Sequence, residues 1–222
     1  MKAFHEQRKY HSGLPFSAWT SKDITFLAHW HHDLEFIYIC EGEVRVGINS
    51  EMRLLRRGDL ALCGSGDIHY YDSTDLTSKA LIITFHPQLI GYPGGWPQGI
   101  RFKSPFVGRA EVESGYIDAV QVKSLIGMMN RLLAEWTEQQ QHYELLVSGI
   151  LHELCGTLLR SIPYEIADSK RDKRRMINTK MMQEILDYIE ENYMNPVSLE
   201  DAANHCNMSK FHFARFSRAP PD

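Results

Sequence analysis

Short apolar runs separated by turn-forming residues occupy the chain from about residue 24 to residue 86. In one run, Val44, Val46 and Ile48 alternate with polar or small residues. Such alternation is typical of a β-strand with one buried side and one solvent-facing side. Many short strands at this spacing predict a sandwich or barrel, and a chain of 222 residues leaves room for a second, small domain.

The spacing of the apolar residues changes to a helical period near residue 117. The two series are Val122, Leu125, Met129, Leu132 and Trp136, followed by Val147, Leu151, Leu154 and Leu158. They predict two amphipathic helices within about residues 115–162, after a barrel at about residues 14–112. Apolar seams of this length suit packing onto the barrel and pairing with a second copy of the chain equally well.

A segment rich in proline, glycine and aromatic residues spans residues 86–108, between the predicted strands and helices. Long loops inside compact domains often serve a site, so this one is expected either to cover the barrel mouth or to be pinned to the outside by its aromatic residues. Trp96 would close a cavity in the first arrangement. The composition favours neither.

Charge, cysteine spacing and hydropathy exclude several classes of protein. The formal net charge of -4 argues against a surface that binds phosphates all over, so any contact with nucleic acid must be local. The four cysteines form no CxxC pair, the first residues have no apolar core of a signal peptide, and no apolar run reaches the length of a membrane span. These features predict a reduced, cytoplasmic protein with no membrane partner.

Three histidines and a glutamate stand at spacings that suit a common site. His29 and His31 are two residues apart, which on a strand places them on one face, and Glu35 joins them if the intervening loop turns inward. His69 follows a later turn. Three neutral imidazoles and a carboxylate would satisfy a divalent transition metal, while a polar cavity that holds the same side chains by hydrogen bonds is the competing interpretation.

This pattern resembles the two motifs of the cupin family of small antiparallel barrels. The first motif is matched by His29, His31, Glu35 and Gly42, and the second by Gly58, Gly66 and His69. The chain departs from the family at Asp23, Gly64 and Ser73, where the motifs have Gly, Pro and Asn. The resemblance implies a cupin-like double-stranded β-helix barrel whose histidines either bind metal or line the pocket of a sensor.

A small polar ligand is the preferred occupant of this cavity, and no cofactor is then required. It would be bound by His29, His31, Glu35 and His69 together with Tyr38 and Tyr71, under Trp96. A metal held by the three histidines and Glu35 is the second possibility.

A basic, polar stretch at residues 163–180 predicts a linker, and residues 181–222 read as a small helical module. The first helix carries the apolar stripe Met182, Ile185, Leu186 and Ile189. Ser198 and Asp201 have the spacing of a capping box at the start of the next helix. After a turn at Asn207, Phe213 is expected to pack inward on a last helix, which gives either a helix-turn-helix or a hairpin that caps the barrel.

This module resembles the start of the AraC-type DNA-binding domain. The matching residues are Ile185, Tyr188, Ile189, Asn192, Tyr193, Pro196, Ser198, Leu199, Glu200, Asp201, Ala203, Met208, Ser209, Phe213 and Arg215. The resemblance implies a transcriptional regulator, not an enzyme, whose domain at residues 1–162 senses a small molecule, commonly a sugar, with its barrel and dimerises through its helices. On that match Ser209, Lys210, Phe211, Ala214 and Arg215 occupy the exposed part of the first recognition helix.

The pattern departs from the family at Ser217, and SRAPPD stands where a second helix-turn-helix would continue. We therefore expect a chain with a truncated DNA-binding domain that binds DNA weakly by itself. Two alternatives to a working regulator are a metal-dependent cupin enzyme, such as a dioxygenase or sugar isomerase, and a truncated regulator that acts only through dimerisation.

Overall fold

The computed structural model describes residues 3–8, 10, 13–91, 96–97, 100–166, 188, 192, 198–206, 208–210 and 213–214. The strands β1 to β11 are Phe4–His5, Phe16–Lys22, Phe26–Trp30, Leu34–Ile48, Glu51–Arg56, Leu60–Cys63, His69–Asp72, Ser78–Phe85, Ile100–Phe102, Phe106–Val107 and Tyr164–Ile166. The α-helices α1 to α4 are Arg109–Glu113, Ala119–Glu138, Tyr143–Ser161 and Leu199–His205, and a 3-10 helix spans Pro87–Ile90. The chain divides into two compact units, Met1–Glu165 and Ile166–Asp222.

Strand β4 organises the first unit because it is long enough to belong to two sheet faces. Its first half pairs with β8 and β6, and β2 and β10 extend that face. Its second half pairs with β5 and β7, and β3 and β1 extend the other face. The pairings are antiparallel except for β1 with β3. The predicted barrel of short strands is therefore present.

The alternation of side chains along β4 divides the core in two. Ile37 and Ile39 lie in a cluster between the two faces, while Leu34 and Phe36 lie in a cluster on the opposite side of their sheet. The register shifts between Ile39 and Glu41, and beyond this irregularity Val44, Val46 and Ile48 belong to the cluster between the faces. The predicted burial of these three residues is confirmed.

Helices α2 and α3 cover the outer side of the face that contains β2 and β8. The side chain of Asp118 caps α2 by accepting a hydrogen bond from the Val120 amide, and Gln139 ends the helix with a left-handed backbone. Val122, Leu125, Met129 and Leu132 of the first predicted series are buried, as are Val147, Leu151, Leu154 and Leu158 of the second. Among the described residues, no helix combines the length and the apolar character needed to cross a membrane.

The described part of the second unit is a short helix with a small core of its own. Ser198 and Asp201 form the predicted capping box, in which each side chain accepts a hydrogen bond from the backbone amide of the other residue. Ala202, Ala203, Met208 and Phe213 are buried together, which confirms the inward position of Phe213. The predicted stripe of Met182, Ile185, Leu186 and Ile189, most of the basic linker, Phe211 and Arg215 lie outside the described residues.

Candidate functional site

The three histidines meet between the two faces of the barrel. His29 on β3 stands directly opposite His69 on β7, and their ring centroids are 4.1 Å apart. His31 follows β3 and its ring lies 4.9 Å from that of His69. Each imidazole offers one ring nitrogen, and these nitrogens all lie within 4.8 Å of one another. Glu35 comes from the opposite face, where β4 pairs with β6 and β8.

Backbone carbonyls fix the orientation of every imidazole in this cluster. The Nδ1 atoms of His29, His31 and His69 lie 2.9, 3.1 and 2.9 Å from the carbonyl oxygens of Leu27, Asp33 and Asp67. A carbonyl oxygen only accepts hydrogen bonds, so each Nδ1 carries the proton and each Nε2 keeps its lone pair when the ring is neutral. The buried Nε2 atoms of His29 and His69 have no hydrogen-bond partner within the described part of the chain.

The carboxylate of Glu35 is the most heavily shared group of the site. Its Oε2 accepts a hydrogen bond from Arg8 Nη2 at 2.6 Å and lies 3.3 Å from His31 Nε2. Its Oε1 accepts a hydrogen bond from the hydroxyl of Tyr71 and lies 3.5 Å from His69 Nε2. Burial alone would raise the pKa of Glu35, but the close contacts with His31 and His69 and the positive charge of Arg8 hold it well below its usual range.

The imidazoles differ in their preferred charge. Burial and the nearby charge of His69 lower the pKa of His29 to about 4, so His29 is neutral at pH 7. Burial would lower the pKa of His69 too, but the negatively charged carboxylate of Glu35, 3.5 Å from its Nε2, outweighs burial and raises that pKa above its usual value. The site therefore contains a carboxylate, one histidine whose pKa is raised and one whose pKa is lowered.

These side chains fit a divalent transition metal ion. Three imidazoles with the second ring nitrogen fixed by a carbonyl are a common ligand set for zinc and related metals. The unpartnered Nε2 atoms of His29 and His69 would be satisfied by such an ion. His29, His31 and His69 would hold the metal, whose chemistry when bound is that of a Lewis acid. Glu35 is less available because Arg8 and Tyr71 already contact it.

A cavity of about 300 Å³ lies beside this cluster. Its lining residues are Glu6, Gln7, Arg8, Tyr10, Ser17, Trp19 and Thr84. Ser17, Thr84 and Glu35 are neighbours on adjacent strands of one face, which puts Thr84 between the cavity and the carboxylate of the cluster. Arg8 belongs to both, since it lines the cavity and contacts Glu35.

The N-terminal segment is the part of the site that the sequence analysis missed. Phe4 and His5 pair with His29 and Trp30, and the Glu6 amide donates to the Trp30 carbonyl at 2.9 Å. This pairing brings Glu6 and Arg8 to the histidines. Their polar surroundings in the sequence show no periodic pattern that would have identified them.

A comparison of the sequence with models of known protein families identifies the family of the first unit. The sequence model described as the AraC-like ligand binding domain matches residues 14–155. The chain belongs to this family. The match covers the barrel with helix α2 and most of α3, so the predicted mainly β, cupin-like fold with its helices is confirmed. It ends before the second unit, which begins at Ile166.

Solved structures similar to this AraC-like domain include several cupins, each aligned over a third of the chain or less. A Bacillus subtilis oxalate decarboxylase mutant is 20% identical over 33% of this chain and 22% of that chain, with a TM-score of 0.28. A cupin-2 domain containing protein from Shewanella frigidimarina is 21% identical over 31% and 69%, with a TM-score of 0.29. The DMSP lyase DddQ from Ruegeria pomeroyi is 23% identical over 32% and 38%, with a TM-score of 0.30. No curated protein matches the chain.

Two predicted ligand residues do not join the site of the AraC-like domain. Tyr38 lies three residues after Glu35 on β4, so its side chain points to the opposite side of the sheet and packs with the helix-covered core. Trp96 packs against the same core, with its ring 6.3 Å from Phe36 and 6.1 Å from Phe102. Trp96 is therefore pinned to the outside of the barrel. His29, His31, Glu35, His69 and Tyr71 do come together.

Proposed function

We propose that this chain is a ligand-responsive transcriptional regulator of the AraC type, whose barrel binds a small polyhydroxylated effector such as a sugar. The observation that carries the proposal is the polar cavity beside the histidine cluster, in a domain that belongs to a ligand-binding family. A volume of about 300 Å³ is at the lower end of the range for small-molecule sites.

The lining of the cavity supports a neutral ligand with many hydroxyl groups. It offers a carboxylate, a guanidinium, an amide and several hydroxyls as hydrogen-bonding groups, and Trp19 offers indole surface. The charges of Glu6 and Arg8 offset each other because Arg8 Nε donates to Glu6 Oε2 at 2.9 Å. Thr84 is fully buried, and its hydroxyl has no hydrogen-bond partner among the described residues. A ligand hydroxyl would satisfy it once the surrounding side chains move to expose it.

Dimerisation through the two long helices and DNA binding through the second unit complete the proposed regulator. Val120, Leu145 and Leu146 are exposed apolar side chains on α2 and α3, which suits contact with a second copy. In the second unit, Ser209 and Lys210 are exposed and Ala214 is half-buried, and with Phe211 and Arg215 they are the proposed DNA contacts. Lys210 Nζ lies 3.4 Å from Glu200 Oε2, a contact that DNA binding would have to replace.

A thermal-shift screen tests effector binding. A ligand that binds only the folded state must raise the melting temperature, by about 5 to 10 °C at a hundredfold excess over Kd. The screen compares pentoses, hexoses, uronic acids and sugar alcohols with amino acids and simple carboxylic acids. We expect the response among the neutral polyhydroxylated compounds, and a response to carboxylic acids alone would contradict the proposal.

The variant Thr84→Val separates binding from folding. Its valine has the shape of threonine but lacks the hydroxyl, which has no protein partner among the described residues, so the folded state should be at least as stable as in the wild type. We expect the melting temperature without ligand to stay the same or rise, while the effector-induced shift decreases. An unchanged effector-induced shift would mean that the ligand does not contact Thr84.

A metal-dependent cupin enzyme is the second candidate, favoured by the geometry of the three imidazoles. Elemental analysis of the purified protein tests it. A transition metal present at one equivalent per chain, lost in the variant His69→Ala, would support the enzyme. Protein that stays free of metal after incubation with zinc, manganese and iron salts would eliminate it.

A further inference from the structure

The positively charged side chain of Arg8 contacts the carboxylate of Glu35 beside the three histidines. Arg8 comes from the N-terminal segment, its side chain is 16% exposed, and its Nη2 donates to Glu35 Oε2, which is almost fully buried. The same segment is attached to β3 by backbone pairing, as described above. Arg8 also lies over the indole of Trp19, with Cζ 5.5 Å from the ring centroid. The guanidinium is therefore held on three sides, by Glu6, Glu35 and Trp19.

The position of Glu35 makes this contact relevant to metal binding. Its two oxygens lie 3.3 Å and 3.5 Å from the Nε2 atoms of His31 and His69, which are two of the three nitrogens that would bind a metal. A divalent ion on those nitrogens would lie close to the carboxylate that Arg8 already contacts. Two cations next to one buried carboxylate repel each other strongly, because the surroundings screen charge poorly.

We propose that Arg8 and a divalent transition metal ion compete for Glu35, so that metal binding to His29, His31 and His69 releases Arg8 from the carboxylate. In the metal-free protein Arg8 neutralises Glu35 and keeps the N-terminal segment on the barrel. In the metal-bound protein the ion takes over that neutralisation. The coupling is reciprocal, so removing Arg8 strengthens metal binding by the factor with which metal weakens the Arg8 contact.

The affinity for Zn²⁺, measured by competition with a chromophoric chelator, tests the proposal. In Arg8→Gln the competing charge is gone, and we expect the affinity to rise by about 5- to 150-fold, the usual range of such couplings. Arg8→Lys keeps a positive charge and should stay close to the wild type. Arg56→Gln is the matched control, because Arg56 pairs with Glu43 at the surface, with its Nε 3.1 Å from Glu43 Oε2. We expect no change in that variant.

The emission of Trp19 reports the movement of Arg8 directly. In the variant Trp30→Phe, which removes the indole between His29 and His31, saturation with Zn²⁺ should change the tryptophan emission as Arg8 leaves Trp19. Adding Trp19→Phe should abolish that change without preventing Zn²⁺ binding. This measurement needs no variant of Arg8, so it stands even if Arg8→Gln fails to fold.

Two results would overturn the proposal. One is equal Zn²⁺ affinity in wild type and Arg8→Gln, which includes the absence of binding to both. The other is an unchanged tryptophan emission in zinc-saturated Trp30→Phe. The proposal goes beyond the proposed function and uses only Zn²⁺ as a probe, so a failed search for an effector would leave it intact.

Discussion

The variant Glu35→Gln is expected to lower the free energy of unfolding by about 3 kcal/mol at pH 7. Glu35 is 1% exposed, accepts hydrogen bonds from Arg8 and Tyr71, and lies against His31 and His69. Glutamine keeps the size of the side chain but removes the charge, which leaves the buried guanidinium with Glu6 as its remaining counterion and removes the negative charge beside His69. Urea or guanidinium unfolding at equilibrium measures the loss.

Acid conditions and a surface variant provide the controls for this result. Because the folded-state pKa of Glu35 is lowered, its charge contributes stability above the unfolded-state pKa, and that contribution is lost as the pH falls towards the folded-state pKa. The difference between wild type and Glu35→Gln should therefore be largest near neutral pH and shrink below about pH 4. Glu43→Gln removes an exposed partner of Arg56 and should cost under about 1 kcal/mol. Equal losses in both variants would refute the central position of Glu35.

The variant Gly42→Ala is expected to lower the free energy of unfolding by at least about 3 kcal/mol. Gly42 follows the register shift of β4 and has a φ of +67°, where a side chain is strained. A Cβ at this position would also collide with the backbone carbonyl of Thr77 on the neighbouring chain segment. Backbone atoms cannot move aside as a flexible side chain can, so β4 and β8 would have to separate locally.

Alanine variants at two other glycines distinguish the cost of backbone strain from the cost of the collision with Thr77. Gly58 has a φ of +98° but open space where its Cβ would stand, so Gly58→Ala should cost about 1 to 2 kcal/mol. Gly149 lies exposed inside α3, again with open space, and Gly149→Ala should stabilise the protein by about 0.5 to 1 kcal/mol. Thermal and denaturant unfolding measure all three variants, and a Gly42→Ala protein as stable as Gly58→Ala would contradict the collision.

Much of the barrel and its helices could be predicted because burial repeats with the period of the local structure. Val44, Val46 and Ile48 mark a strand by alternation, and the two helical series mark α2 and α3. The histidines could be predicted as well, since His29 and His31 are spaced for one face and His69 completes the second cupin motif. In the structure, Tyr71 lies on the same face as His69 because the two residues are two apart on β7.

The remaining parts of the site depend on contacts that no local pattern records. Arg8 and Glu35 are far apart in the sequence and meet only because β1 pairs with β3. The cavity lined by Trp19 and Thr84 likewise forms between that segment and the pairing of β2 with β8. The residue type of Tyr38 favours a ligand contact, but a separation of three along a strand places its side chain on the opposite side of the sheet from Glu35.

Calorimetric titration of three proteins with one sugar or polyol tests the central claim, that the effector binds in the cavity beside the histidine cluster. The ligand is the compound that gives the largest thermal shift, and the proteins are the wild type, Trp19→Ala and Trp96→Ala. Trp19 lines the cavity, whereas Trp96 packs on the helix-covered core. We expect the affinity to fall at least about tenfold in Trp19→Ala and to stay unchanged in folded Trp96→Ala. The reverse pattern, or an identical affinity in all three proteins, would contradict the account.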